Sequence, residues 1–335
     1  MEIRRVQMTG GSSYIITLPK EWIKSSNIKK NDPIGLTIQS DGTLLITSKM
    51  KHEQLYKIKE FDTTKISKQT FLLRQLIGAY ISGYTSIIVK SPSRMPTTVR
   101  TVLRNFTQTT IGQEIVEETD NSITLKDLLN PIEMPLDRTI KRMQIIVKGM
   151  NEDVLKAIKT FDTKLANEII TRDTEVDRLH LLVARQYHMI LQNVSLAEKM
   201  NITTSLSSTY FLISRMIERI ADHLVRIAQN IKNINANKHT QKILAKIEIA
   251  DLLAMNIFNK SIGTFFRKDI KGSNENIETV EKLEALCEEI NTLALQQKVI
   301  VAISFGYITE SIRRIGEYSE NISETVINYL INEEK

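Results

Sequence analysis

Glu218 and Asp222 stand four positions apart in the run Arg215-Met-Ile-Glu-Arg-Ile-Ala-Asp-His-Leu-Val-Arg. A helix would place both carboxylates on one face, where like charges are mildly destabilising. A hard cation held between them would reverse that sign, because such ions take carboxylate oxygens. A plainer alternative is a solvated flank in which Asp222 pairs with Arg226 one turn on. The helix itself follows from Ile217, Ile220, Leu224, Ile227 and Ile231, which recur at three- and four-residue steps as one apolar stripe.

The elements that must position this pair belong to a long chain. At 335 residues, length predicts two or three domains. The apolar share of 41% and charged share of 25% are those of an ordinary soluble protein. No apolar run approaches the roughly 18–20 residues of a membrane span, and the start Met-Glu-Ile-Arg-Arg has no apolar signal core. The single cysteine, Cys287, excludes an internal disulfide and a thiolate zinc site and suits a reducing compartment, so a cytoplasmic protein is expected. The charge of +6 is compatible with nucleic acid without requiring it. There is no phosphate loop, no Gly-x-Gly-x-x-Gly and no nucleophile elbow. With no general base or nucleophile beside the carboxylates, no enzyme is expected.

Three composition zones follow in order. In residues 1–48, Ile3–Met8 and Tyr14–Leu18 read as strands around the turn Thr9–Ser13, and Pro19 opens a short helix over 20–24. Ile34–Ile38 and Leu44–Thr47 form a hairpin across Asp41-Gly42. So few residues bury little surface and call for a partner, most simply a second copy. Residues 49–134 alternate strand and helix: a strand near 56–61, a helix over 71–81, a strand over 86–89, a helix over 97–106, and a hairpin of 111–116 with 122–125. That pattern predicts a small α/β unit. After Pro131 and Pro135 every segment has helical period. One helix carries Ile140, Met143, Val147, Met150, Val154 and Ile158, and a second carries Leu165, Ile169, Val176, Leu179, Val183 and Ile190. The third spans about 206–234, and after a polar break at Asn235–His239 come helices near 241–267, 276–298 and 300–330. A shift of 95 lays Ile217, Ile220 and Ile227 on Ile312, Ile315 and Ile322; a shift of 111 lays Asp173 and Asp177 on Glu284 and Glu288. An internal duplication, residues 135–235 and 240–332, accounts for both.

Two resemblances rest on these residues. The run Val6-Gln-Met-Thr-Gly-Gly-Ser-Ser-Tyr-Ile-Ile-Thr-Leu-Pro-Lys-Glu-Trp22, with Lys30–Pro33 and Asp41–Leu44, resembles the AbrB/MazE/SpoVT swapped-hairpin domain. That implies two chains interleaved into one barrel that lays Arg4, Arg5, Lys20 and Lys24 on DNA, with Lys29 and Lys30 as weaker candidates. Three-helix halves with Glu-Arg-Ile-x-Asp-His resemble PhoU, the phosphate-uptake regulator, over about 136–332. The pairing of both domains is found in archaeal PhoU-like regulators. The PhoU resemblance implies metal held by acidic pairs on facing helices, here Asp173 and Asp177 with Glu218 and Asp222. His180 and His223 adjoin these pairs and could add nitrogen. Oxygen ligation favours Mg²⁺, Mn²⁺ or Ca²⁺; histidine would admit Fe or Zn.

The second half departs from the pattern, because Arg313 stands at the place of Glu218 and Glu317 at that of Asp222. Glu284, Glu288 and Glu317 remain as candidate ligands, with Arg313 as a built-in cation able to pair with Glu284 and Glu288. The expected architecture is therefore multi-domain: a swapped-hairpin β barrel, a middle α/β unit, and an all-α six-helix module of two three-helix repeats. The resemblances imply a DNA-binding, metal-binding regulator of phosphate uptake, acting as a homodimer. They also allow an adaptor that contacts a phosphate-transporter ATPase or a sensor kinase.

Overall fold

The computed structural model describes residues 2–38, 42–48, 57–66, 68–234 and 238–333. The chain divides into two compact units, Met1–Tyr56 and Lys57–Lys335.

In the first unit, strands β1 (Gln7–Thr9) and β2 (Ser13–Ile15) pair antiparallel, Gln7 opposite Ile15. Gly10 and Gly11 turn the chain between them at φ +61° and +78°, a region that disfavours residues with a Cβ. The first strand is shorter than expected, beginning at Gln7 rather than Ile3. Helix α1 (Lys20–Ser25) starts behind Pro19. Strands β3 (Gly35–Ile38) and β4 (Leu44–Thr47) form the second hairpin, Gly35 opposite Thr47. The expected turn at Asp41-Gly42 lies partly outside the described residues. None of the described residues of this unit is buried.

The second unit opens with β5 (Ile58–Asp62), α2 (Gln69–Ile81), β6 (Ser86–Lys90), α3 (Thr97–Thr109), β7 (Gln113–Glu118) and β8 (Ser122–Asp127). The sheet order is β5-β6-β8-β7; β5 runs parallel to β6 through the α2 crossover, and the other pairs are antiparallel. Leu72, Leu76 and Tyr80 of α2 and Leu103 and Phe106 of α3 bury one sheet face with Ile87, Val89, Ile123 and Leu125. Gly112 closes the turn into β7 at φ +89°, where a Cβ would stand 2.6 Å from that of Leu129.

The long helices are α4 (Leu136–Thr160), α5 (Thr163–Gln192), α7 (Thr204–Asn230), α8 (Lys238–Arg267), α10 (Val280–Ala294) and α11 (Val299–Glu333). Two short helices, α6 (Val194–Lys199) and α9 (Ile270–Glu278), fill connections. Side-chain caps set the breaks. Asp162 accepts from the amides of Lys164 and Leu165, Thr203 from Leu206, and Asp269 from Gly272. The polar break expected at 235–239 falls largely outside the described residues. Every residue of the stripe Ile217, Ile220, Leu224, Ile227 and Ile231 is buried, and α7 packs against α4, α5 and α11. The apolar faces of all these helices share one continuous core. Among the described residues, no helix is long and apolar enough to cross a membrane.

The α/β part is fastened to α5 through Arg185, a buried residue of that helix. Its guanidinium lies over the Tyr80 ring, 4.8 Å from the centroid, donates to the carbonyls of Tyr80 and Tyr84, and pairs with Asp127. Both charged side chains are almost wholly enclosed, 2% and 7% exposed. Burial raises the Asp127 pKa while Arg185 opposes that rise.

Candidate cation site and nucleic-acid face

Asp173 and Asp177 lie one turn apart on α5, and Glu218 and Asp222 one turn apart on α7. The two helices pack against each other, and the four carboxylates are half-buried. The Asp173 pKa is raised to about 7, first by burial, then by the charges of Asp177, Asp222 and Glu218. Glu218 is also raised to about 7, by burial and Asp222, against the pull of Arg219. Asp177 is raised by burial and Asp222; Asp222 is raised by burial, with Arg219 and Arg226 opposing. Asp173, Asp177 and Glu218 therefore each feel a carboxylate across the helix pair.

Compensation within the protein is weak. Asp173 Oδ1 is sealed from solvent with no donor. Arg219 reaches Glu218 and Asp222 only at 3.6 Å each, and the pairing of Asp222 with Arg226 is replaced by this longer contact. Among the described residues, neither Asp173 nor Asp177 has a cationic partner. The donor set thus suits a hard cation. As they stand, however, no three His, Cys, Asp or Glu side chains among the described residues converge closely enough to enclose one ion. The acids form a facing patch rather than a closed cage, within electrostatic reach of one another.

The histidines have structural surroundings. His180 shares a hydrogen bond with Ser214 at 3.0 Å and stacks on Phe211, and burial lowers its pKa to about 4. His223 packs on Tyr318 and is likewise lowered to about 4, mainly by burial. Its Nδ1 is enclosed without a partner, on the side of α7 that meets α11.

The second half is arranged differently. Arg313 pairs with Glu310 at 2.8 Å and with Glu317, and Arg314 binds the same two acids at 2.9 Å. Arg313 is thus engaged on its own helix, not in ion pairs to Glu284 and Glu288, which are exposed on α10. Glu310 is the residue that sequence reasoning missed. Its spacing of three and four from Arg313 and Arg314 was the available signal.

In the first unit, Arg4, Arg5, Lys20 and Lys24 are all exposed, and Arg4 pairs with Glu2. Exposed beside them is an unusual load of apolar surface: Ile3 81%, Val6 64%, Met8 66%, Tyr14 76%, Leu36 64% and Ile38 80%.

The chain thus carries a small β unit without a core of its own and a helical module in which acidic pairs face each other across two helices. In keeping with this, residues 7–54 match the MazE family (antidote-toxin recognition, bacterial antitoxin), and residues 140–231 match the PhoU domain family. Among curated relatives, the phosphate-specific transport system accessory protein PhoU homolog of Clostridium acetobutylicum is 24% identical over 205 residues, covering 58% of this chain and 90% of that protein. Two solved structures are also similar. The phosphate transport system regulatory protein PhoU of Streptococcus pneumoniae has TM-score 0.48 and 17% identity over 59% of this chain and 94% of its own. PhoU of Pseudomonas aeruginosa has TM-score 0.46 and 16% identity over 59% and 96%.

Proposed function

We propose that this chain is a cytoplasmic regulator of phosphate uptake, not an enzyme, which dimerises through its N-terminal unit and binds DNA there. The observation that carries this reading is the coreless first unit. Side chains such as Tyr14 and Ile38 cannot stay in water at no cost, and roughly 1.5–3 kcal/mol accompanies burial of each large apolar side chain. A second copy interleaving its hairpins would supply the missing core. It would also double Arg4, Arg5, Lys20 and Lys24 across a two-fold axis, as phosphate-backbone contact favours.

The helical module would be the sensing part. We read it as two three-helix repeats, α4, α5 and α7 followed by α8, α10 and α11, separate from the α/β segment at 49–134. In the first repeat, Asp173, Asp177, Glu218 and Asp222 would hold a divalent or trivalent cation (Mg, Mn, Fe or Zn). The ion would neutralise a patch that otherwise repels itself, and so tie α5 to α7. In the second repeat Arg313 and Arg314 already do this for Glu310 and Glu317, so Glu284, Glu288 and Glu317 are weaker ligands.

A second reading keeps the helical module and drops DNA. The accessory role in the name of the Clostridium relative favours an adaptor that acts on a phosphate transporter or its kinase. The exposed row Leu295, Val299, Ile300, Ile303 and Tyr307 is a surface such a partner could use. Titration of a random-sequence duplex by fluorescence anisotropy separates the two. Under the DNA reading, Arg4→Ala/Arg5→Ala weakens binding and flattens its salt dependence by about 0.9 in log–log slope for each lost phosphate contact. Unchanged affinity and slope would leave the adaptor.

A further inference from the structure

A groove of about 640 Å³ runs along β5. One wall is the strand itself, residues 59–62 in succession; the other is α2, through Gln75 and Gly78, with Ser82 just past its end. Consecutive strand residues line a groove only when it runs along the strand's backbone edge, since side chains alternate between faces. β5 is the last strand on its side of the sheet. The amide and carbonyl of Lys57 are both engaged towards β6, with Thr85 and Ser86. Alternation then turns those of Ile58, Glu60 and Asp62 outward, and among the described residues no strand meets them. Exposed edges of this kind are templates for a further strand.

The groove also has a chemical bias. Three lysines, Lys59, Lys65 and Lys90, face two acids, Glu60 and Asp62. Lys90 holds Glu60 at 2.8 Å, and Asp62 is occupied with the Thr64 amide and Lys65. Lys59 is left over the rings of Phe61 and Tyr84, about 5.8–5.9 Å from each centroid, with no acid beside it among the described residues. Gln75 keeps its carbonyl oxygen enclosed without a donor. At Gly78 an added Cβ would meet nothing within 4 Å, so the helix wall is open.

We propose that this groove binds an extended acidic peptide segment of a partner protein, which adds as a fifth strand to β5 with a carboxylate across from Lys59 and an apolar residue across from Phe61. Main-chain bonds to Ile58, Glu60 and Asp62 supply affinity, and Lys59 supplies selectivity. Pairing β5 with a second copy of itself is disfavoured. A two-fold centred on Glu60 or Lys59 sets like charges opposite each other, which destabilises a strand pair.

The test uses the full chain and a fluorescein-labelled octapeptide, Thr-Glu-Thr-Val-Thr-Glu-Thr-Val, followed by anisotropy. Saturable binding is expected, absent for the same peptide with lysine in place of glutamate. Glu60→Pro removes an outward amide while sparing the bonds to β6, as proline at an open edge does. It should weaken binding at least about tenfold, whereas Glu60→Ala, which keeps the amide, should not. Gly78→Leu fills the groove from a helix position that tolerates leucine and should weaken binding as much. Circular dichroism of each variant checks that the fold persists. No saturable binding by the unaltered chain would overturn the proposal. So would binding lost in Gly78→Leu but kept in Glu60→Pro, which would mark a small-anion cavity rather than strand addition.

Discussion

Replacing Arg185 by methionine is expected to destabilise the second unit by about 3–5 kcal/mol, the penalty typical of removing one partner from an enclosed ion pair. The substitution leaves the Asp127 carboxylate without its cation and the carbonyls of Tyr80 and Tyr84 without their donor. Urea unfolding should report the loss, and hydrogen exchange should locate it in β6 and β8, the strands that Asp127 and Tyr84 adjoin. Adding Asp127→Leu to Arg185→Met should recover much of the stability, because two apolar groups leave no orphaned charge. If the single variant is as stable as the parent, Arg185 does not fasten the α/β part to α5.

The carboxylate patch of the metal-free protein should contribute more stability in acid than above neutrality, against the opposite contribution of the half-buried His180 and His223. Asp173 and Glu218 have folded pKa values near 7, above their ordinary values of 3.8 and 4.5. Below about pH 4 both are protonated whether the chain is folded or not, and their favourable contribution is complete. As pH rises towards 7 the unfolded chain releases these protons and the folded chain keeps them, so stability falls. Discounted for their partial exposure to solvent, the two together are worth about 1–2 kcal/mol. Asp173→Asn should therefore raise the urea midpoint at pH 8 in the presence of chelator and change it little at pH 4. Equal destabilisation at both values would mean that Asp173 acts through hydrogen bonding or packing rather than charge.

The helical half of this protein could be read from its sequence because its signal is local. Stripes such as Ile217–Ile231 repeat with the helical period, and no proline interrupts them after Pro135. The alternation in 56–125 was legible for the same reason. What escaped is what depends on distant partners or on small choices between neighbours. Arg185 sits in a helix among apolar residues, and its partner Asp127 is 58 positions away. Asp222 had arginines at both three and four residues' distance, and only packing selects Arg219 over Arg226. The connection between α5 and α7 contains α6, capped by the Asn193 side chain; six residues are too few for a periodic stripe to show. The acidic pairs themselves were visible as spacings on two helices. That they influence one another follows from the packing of α5 on α7, which the spacing along either helix does not encode.

The most direct test of a cation-sensing helical module is metal content. Untagged protein incubated with Mn²⁺ or Fe²⁺ and passed through gel filtration would be measured by elemental analysis, beside an Asp173→Ala, Asp177→Ala, Glu218→Ala, Asp222→Ala variant. The account predicts about one ion or more per chain in the parent, lost in the variant. A parent chain that emerges free of metal would contradict it, and the four acids would then be a surface for a basic partner.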